Sequence, residues 1–189
     1  MACARCGQER TFLRWPLLCL TGPSGAGKST VAALVADGLA ERLVTLEQDV
    51  LWSPELADRP GGTRQFRATW LALAAMIGQA GRPVLLCGTV VPAELEPLAE
   101  RTLFARIHYL ALDAPAELLA ARLRARPAWR GWGEARVAEM LAFAAELRRD
   151  AAAMTPPVEL LDTSGLAAAA TAARVAAWAE ARLRDAPPA

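Results

Sequence analysis

With 189 residues, 54% hydrophobic and 22% charged, the chain has the bulk and composition of one folded domain and not of a disordered segment. Its formal net charge of +1 excludes the broad basic field that nucleic acid or an anionic membrane selects. No apolar run is long enough to cross a bilayer, and the amino-terminal stretch holds charges where an export signal would be apolar, so a cytoplasmic protein is expected. Of four cysteines, Cys3 and Cys6 form a CxxC pair, half of a zinc or redox site whose other half is missing. Residues 1–14 are therefore read as a loose amino-terminal segment, and no metal-binding cysteines are assigned.

Residues 15–21 form an apolar run that ends in a Gly-rich turn, as a buried parallel strand does. Apolar residues at helical spacing (Val31, Leu34, Val35, Leu39) predict a helix from Lys28 to about Ala40. A second strand follows at about 43–46, then Glu47-Gln48-Asp49. Pro54, Pro60, Gly61 and Gly62 interrupt the chain before a helix over about 63–80. Residues 83–87 give a third strand ending at Gly88, and a Pro-punctuated helical segment covers about 93–104. A fourth strand at 107–112 runs into a helix that reaches Arg126. Pro127 stops that helix, and residues 129–133 read as a connection. A helix at 134–149, a fifth strand at 158–161 and a last helix at 166–183 complete the chain. Strands alternating with helices specify an α/β domain over residues 15–186: three layers, α/β/α, around a five-stranded parallel sheet with right-handed crossovers.

Gly22-Pro23-Ser24-Gly25-Ala26-Gly27-Lys28-Ser29 matches the P-loop pattern G-x-x-x-x-G-K-[ST] at every fixed position, between a strand and a helix. Its glycines let backbone N–H groups turn toward phosphates, and the helix N-terminus adds partial positive charge. The motif predicts that Lys28 reaches the β- and γ-phosphates of ATP, that the Ser29 hydroxyl ligates Mg²⁺, and that Thr30 contacts the α-phosphate. Among twenty arginines Lys28 is the single lysine of the chain. It falls where a compact ammonium and a planar guanidinium differ most.

The chain has no asparagine and no second lysine, so the Asn-Lys-x-Asp device that reads guanine in GTPase switches is excluded. The third strand ends in Cys87-Gly88-Thr89, without the acid that motor and transporter ATPases carry there. Residues just past strand ends face the ligand crevice of a doubly wound sheet. Asp49 is thereby placed to take the proton of an acceptor hydroxyl, and Glu47 either orients Mg²⁺ through water or is an ordinary exposed acid. Arg122 and Arg126, four apart, share one helix face, and arginines on a closing segment stabilise charge on a transferring phosphoryl group. Arg130 lies beyond Pro127, and Arg124 points outward.

The P-loop, the Glu47-Gln48-Asp49 segment, the run Arg122-Leu123-Arg124-Ala125-Arg126-Pro127 and the strand end Leu160-Leu161-Asp162-Thr163-Ser164 together resemble the small P-loop kinases. These are the nucleoside and nucleotide kinase-like group that includes gluconate kinase, shikimate kinase and chloramphenicol phosphotransferase, with an AAA-type ATP-binding domain. The resemblance runs from about Leu17 to Trp178. It implies an ATP- and Mg²⁺-dependent phosphotransferase, monomeric or homodimeric, that moves the γ-phosphate to a hydroxyl or phosphate of a nucleoside, nucleotide or similar metabolite. The alternatives are a nucleotide-binding regulatory protein and an antibiotic-modifying kinase. It further implies an arginine-rich lid at about 122–134 carrying Arg126 and Arg130 as catalytic groups, ATP contacts from Arg122 and Asp162, and an acceptor site built over residues 52–80. There Arg59, Arg64 and Arg67 are placed to grip an anion and Trp52, Phe66 and Trp70 to flank a ring, though Phe66 and Trp70 suit the core equally well. Gly88 and Thr89 border the acceptor by the same analogy. Trp129 and Trp132 in the lid either stack on adenine or pack.

Overall fold

The computed structural model describes residues 5–9, 11–51, 63–127 and 131–184. Five strands, β1 (Leu17–Thr21), β2 (Val44–Glu47), β3 (Val84–Cys87), β4 (Ile107–Asp113) and β5 (Val158–Asp162), form one sheet in the order β2-β3-β1-β4-β5. Every pairing is parallel. The helices are α1 (Lys28–Leu39), α2 (Arg64–Gly78), α3 (Pro92–Leu95), α4 (Ala116–Arg124), α5 (Glu134–Asp150) and α6 (Ala168–Arg184).

The central strands β1 and β3 are buried along their whole length because helices cover both faces of the sheet there. Leu17 and Cys19 of β1, with Val84, Leu86, Ile107 and Tyr109, pack on Phe66, Trp70, Leu71 and Ala74 of α2. Leu18 and Leu20, with Leu85, Leu110 and Leu112, pack on Val31 and Val35 of α1 and on Ala172 and Val175 of α6. The side-chain alternation of a strand thus divides one short run of sequence between two cores. Phe66 and Trp70, offered above as ring-flanking residues, are both buried in the first core, edge to face at 6.3 Å.

Two expectations shift. The interrupted 93–104 segment resolves into the short α3 and a 3₁₀ turn at Ala99–Leu103. The stretch just before β1 is docked and not loose: Leu13 N–H donates to Gln79 Oε1 at 3.0 Å, and Gln79 Nε2 returns a bond to Leu13 O. Phe12 packs against the first core.

The order β2-β3-β1-β4-β5 fixes the geography of the carboxyl edge of the sheet. The P-loop leaves β1 at the centre. The ends of β2 and β3 lie on one side of it, and the turn after β5, with the start of α6, lies on the other.

Candidate functional site

The P-loop is shaped by glycines that no other residue replaces. Gly22, at φ +122°, brings its backbone so close to β4 that a Cβ would stand 2.5 Å from Leu112 O. Gly25 and Gly27 hold φ of +89° and +94°, in the left-handed region that L side chains avoid. Gly27 caps α1, and Val31 N–H, bonded to Gly27 O at 3.0 Å, is the first to find an intrahelical acceptor. The N–H groups of Lys28, Ser29 and Thr30 precede it at the positive end of the helix dipole.

A cleft of about 460 Å³ lies over this loop. Residues 24–31 form its floor. Glu47, Asp49, Gly88 and Thr89 bound it on the β2/β3 side, Arg122 and Arg126 cover it, and Thr163, Leu166, Ala168 and Thr171 bound it on the β5/α6 side. Lys28 Nζ donates to Gly22 O at 2.9 Å, Pro23 O at 3.0 Å and Thr89 Oγ1 at 3.2 Å. Burial pulls its pKa below the ordinary value, opposed by the carboxylates of Glu47 and Asp49. Arg122 Nη1 donates to Gly25 O at 3.0 Å. Arg126 lies over the Trp132 ring at 4.8 Å, and Arg136 over the same ring at 4.3 Å.

A family model described as AAA domain matches residues 17–147. The chain belongs to that AAA domain family. No curated protein sequence matches it. Solved structures similar to this AAA domain include an unliganded sugar kinase from Janibacter sp., 20% identical with a TM-score of 0.64, covering 93% of this chain and 99% of that one. Shikimate kinase from Acinetobacter baumannii, in complex with shikimate, is 22% identical at a TM-score of 0.56, covering 90% and 96%. A gluconokinase from Sinorhizobium meliloti is 18% identical at 0.52, covering 92% and 99%. These likenesses show a shared P-loop kinase-like fold.

Within the AAA domain, the residues named from sequence separate. Ser24 to Thr30, Glu47, Asp49, Gly88, Arg122 and Arg126 all line one cleft, and the Gly22 and Pro23 carbonyls hold its lysine. Arg67 does not line it. Its side chain is 9% exposed and lies under the strand ends, donating to Glu94 Oε1 at 2.8 Å, Gln48 Oε1 at 2.6 Å and Thr89 O at 2.7 Å. An arginine in the first turn of a helix with no acid nearby in sequence reads as exposed, and the Glu94 that draws it inward is 27 residues away. Arg64 is exposed and outside the lining. Asp162 is exposed too, and accepts a bond from Ser164 N–H at 2.8 Å, so the turn after β5 meets the cleft through Thr163. Trp52, Arg59, Trp129 and Arg130 lie outside the described residues.

The end of β3 carries a feature that sequence does not announce. Glu47 pairs in register with Cys87, and the Cys87 thiol donates to Glu47 Oε2 at 3.2 Å. The acid absent from β3 thus arrives at the same level from β2. Burial pushes the Cys87 thiol up, so it is a neutral donor here. Thr89, which touches both Lys28 and Gly22 O, was legible only as an acceptor-side neighbour. Leu166, Ala168 and Thr171 carry no sequence signal at all, being small or apolar residues at the start of α6.

The residues present fit Mg²⁺ and a triphosphate. Oxygen donors suited to Mg²⁺ share the cleft: the hydroxyl of Ser29 and the carboxylates of Glu47 and Asp49. Among the described residues no group of three or more His, Cys, Asp or Glu gathers to hold a metal alone. A cation that keeps its waters and leans on substrate phosphates is the kind such a site takes.

Proposed function

We propose that the protein is an ATP-dependent kinase that phosphorylates a hydroxyl group of a small molecule. The observation that carries this reading is the placement of Lys28, after β1, and Asp49, after β2, in one cleft that Arg122 and Arg126 also line. A cleft with the P-loop alone would serve binding or slow hydrolysis. A carboxylate beside it, on the side away from the β5/α6 end, gives an acceptor hydroxyl somewhere to lose its proton.

Mg·ATP, when bound, supplies the transferable phosphoryl group. Residues 24–30 cradle the phosphates through backbone N–H groups, and Lys28 is the point charge for the β- and γ-phosphates. Ser29 would supply the hydroxyl ligand of the metal, and Glu47, at the level of the missing β3 acid, would orient its waters. Asp49 accepts the acceptor's proton. Arg122 and Arg126 counter charge on the phosphoryl oxygens, and Trp132, stacked against Arg126, holds that guanidinium over the cleft. Arg130 is assigned the same charge-countering role from the sequence pattern. Thr163, Leu166 and Thr171, which bound the β5/α6 end of the cleft, would hold the base of the nucleotide.

The reading is tested by following ADP release and phosphorylated product from Mg·ATP with pooled hydroxylated metabolites, using Lys28→Ala as the blank. A stimulated pool with a product heavier by one phosphate supports it. ATP binding with no product from any pool points instead to a regulatory nucleotide-binding protein.

A further inference from the structure

The ammonium of Lys28 spends all three of its N–H donors inside the protein: on Gly22 O at 2.9 Å, Pro23 O at 3.0 Å and Thr89 Oγ1 at 3.2 Å. A phosphate oxygen can therefore bond this lysine only by exchange with one of the three. The acceptors differ in how they can yield. Two are backbone carbonyls of the P-loop, which the close approach of Gly22 to Leu112 O holds against β4. The third is a side-chain hydroxyl, on a residue that lines the cleft.

Thr89 is also oriented to face the ammonium as an acceptor. Its hydroxyl proton is spent on Gly22 O at 3.2 Å, which leaves the oxygen lone pairs for Lys28. The backbone around it is pinned. Thr89 O accepts from Arg67 Nη2 at 2.7 Å, Gly88 N–H donates to Leu20 O at 3.1 Å, and Val90 N–H donates to Thr21 Oγ1 at 3.0 Å. Rotation of one half-buried threonine side chain between staggered positions thus suffices for the exchange, and the end of β3 stays in place. An oxygen that offers Lys28 only lone pairs, at the wall of the cleft, offers what a phosphate oxygen also offers.

We propose that Thr89 is a positioning residue that holds the place of a phosphate oxygen on Lys28 in the free protein and gives it up when the triphosphate binds. The inference rests on the nucleotide-binding part of the kinase reading and adds a residue to it. It carries a sign that a merely structural role does not. Removing the hydroxyl takes a bond from the free protein alone and so tightens nucleotide binding, whereas damage to the cleft weakens it.

The test compares the native protein with Thr89→Val, which keeps the shape and removes the hydroxyl, and with Thr89→Ser, which keeps the hydroxyl. Calorimetry measures the affinity of each for the Mg²⁺ complex of the non-hydrolysable β,γ-imido analogue of ATP. Thr89→Val should bind it about three- to tenfold more tightly than the native protein, and Thr89→Ser should return the affinity toward the native value. Because Lys28 is the single lysine, labelling with ¹⁵N-lysine gives one Nζ resonance. That resonance should differ between the native protein and Thr89→Val when free, and converge when the analogue is bound. Unchanged or weaker binding by Thr89→Val, or an Nζ difference that survives saturation, overturns the placeholder role and leaves the nucleotide site standing. No binding of the analogue by the native protein overturns the nucleotide-binding reading itself, and the placeholder role falls with it.

Discussion

Arg67 and Glu94 meet as an ion pair at 2.8 Å beneath the ends of β2 and β3, although 27 residues separate them. The same guanidinium holds Gln48, which sits between Glu47 and Asp49, and the carbonyl of Thr89, whose hydroxyl touches Lys28. One buried charge therefore sets the spacing between the acidic segment and the phosphate-binding lysine.

Removing Glu94 should leave that guanidinium without its counter-charge. Because Glu94 is a third exposed while Arg67 is not, water answers part of the loss, and Glu94→Ala is expected to cost about 2–3 kcal/mol. Thermal unfolding checks it: for a domain of this size the midpoint should fall by roughly 5–10 °C. An unchanged midpoint would mean that the pair contributes nothing to the fold.

Gly22→Ala should be worse than a surface glycine change such as Gly81→Ala. Both positions have positive φ, but only at Gly22 would the new methyl stand 2.5 Å from backbone, at Leu112 O. Urea unfolding should show a destabilisation on the order of 2–4 kcal/mol for Gly22→Ala and about 1 kcal/mol for Gly81→Ala. Equal losses at the two sites would contradict the contact.

Lys28 is the single lysine, so reductive methylation with ¹³C-formaldehyde labels it and the amino terminus alone. Burial disfavours its charged form, and the pKa is lowered from 10.5. In the free protein the Lys28 signal should titrate with a midpoint below that value. The sign for stability follows: the unfolded chain binds this proton more tightly, so the destabilisation from Lys28 is full below the folded pKa. It is relieved as pH rises toward 10.5. A midpoint at or above that value would show that the ammonium is not desolvated.

The three described thiols should fall into two classes. Cys6 is exposed, whereas Cys19 and Cys87 are buried with pKa values pushed well up. A thiol-reactive dye should label Cys6 in the native protein and reach Cys19 and Cys87 only on unfolding. Native labelling of Cys87 would indicate that the end of β3 is open to solvent.

The elements of the sheet were legible because the strands are short runs rich in apolar residues, bounded by Gly, Pro or acid. The P-loop was legible because its fixed residues each answer a local backbone demand. What escaped depends on pairing across the chain. Glu47 standing at the level of Cys87 requires knowing that β2 neighbours β3 in register. The burial of Arg67 requires Glu94 from α3, and the docking of Leu13 requires Gln79 at the far end of α2. Local periodicity contains none of these, since the partners lie 27 to 66 residues apart.

The central claim is that Asp49 and Lys28 together make a phosphoryl-transfer site and not merely a nucleotide-binding one. The measurement closest to it is phosphorylated product from Mg·ATP and a stimulating acceptor pool, compared between the native protein and Asp49→Asn, with ATP affinity measured beside it. The account predicts that ATP affinity is kept while product formation falls by about 10²–10⁴-fold, the usual effect of losing a positioned base. Undiminished product formation in Asp49→Asn would contradict it.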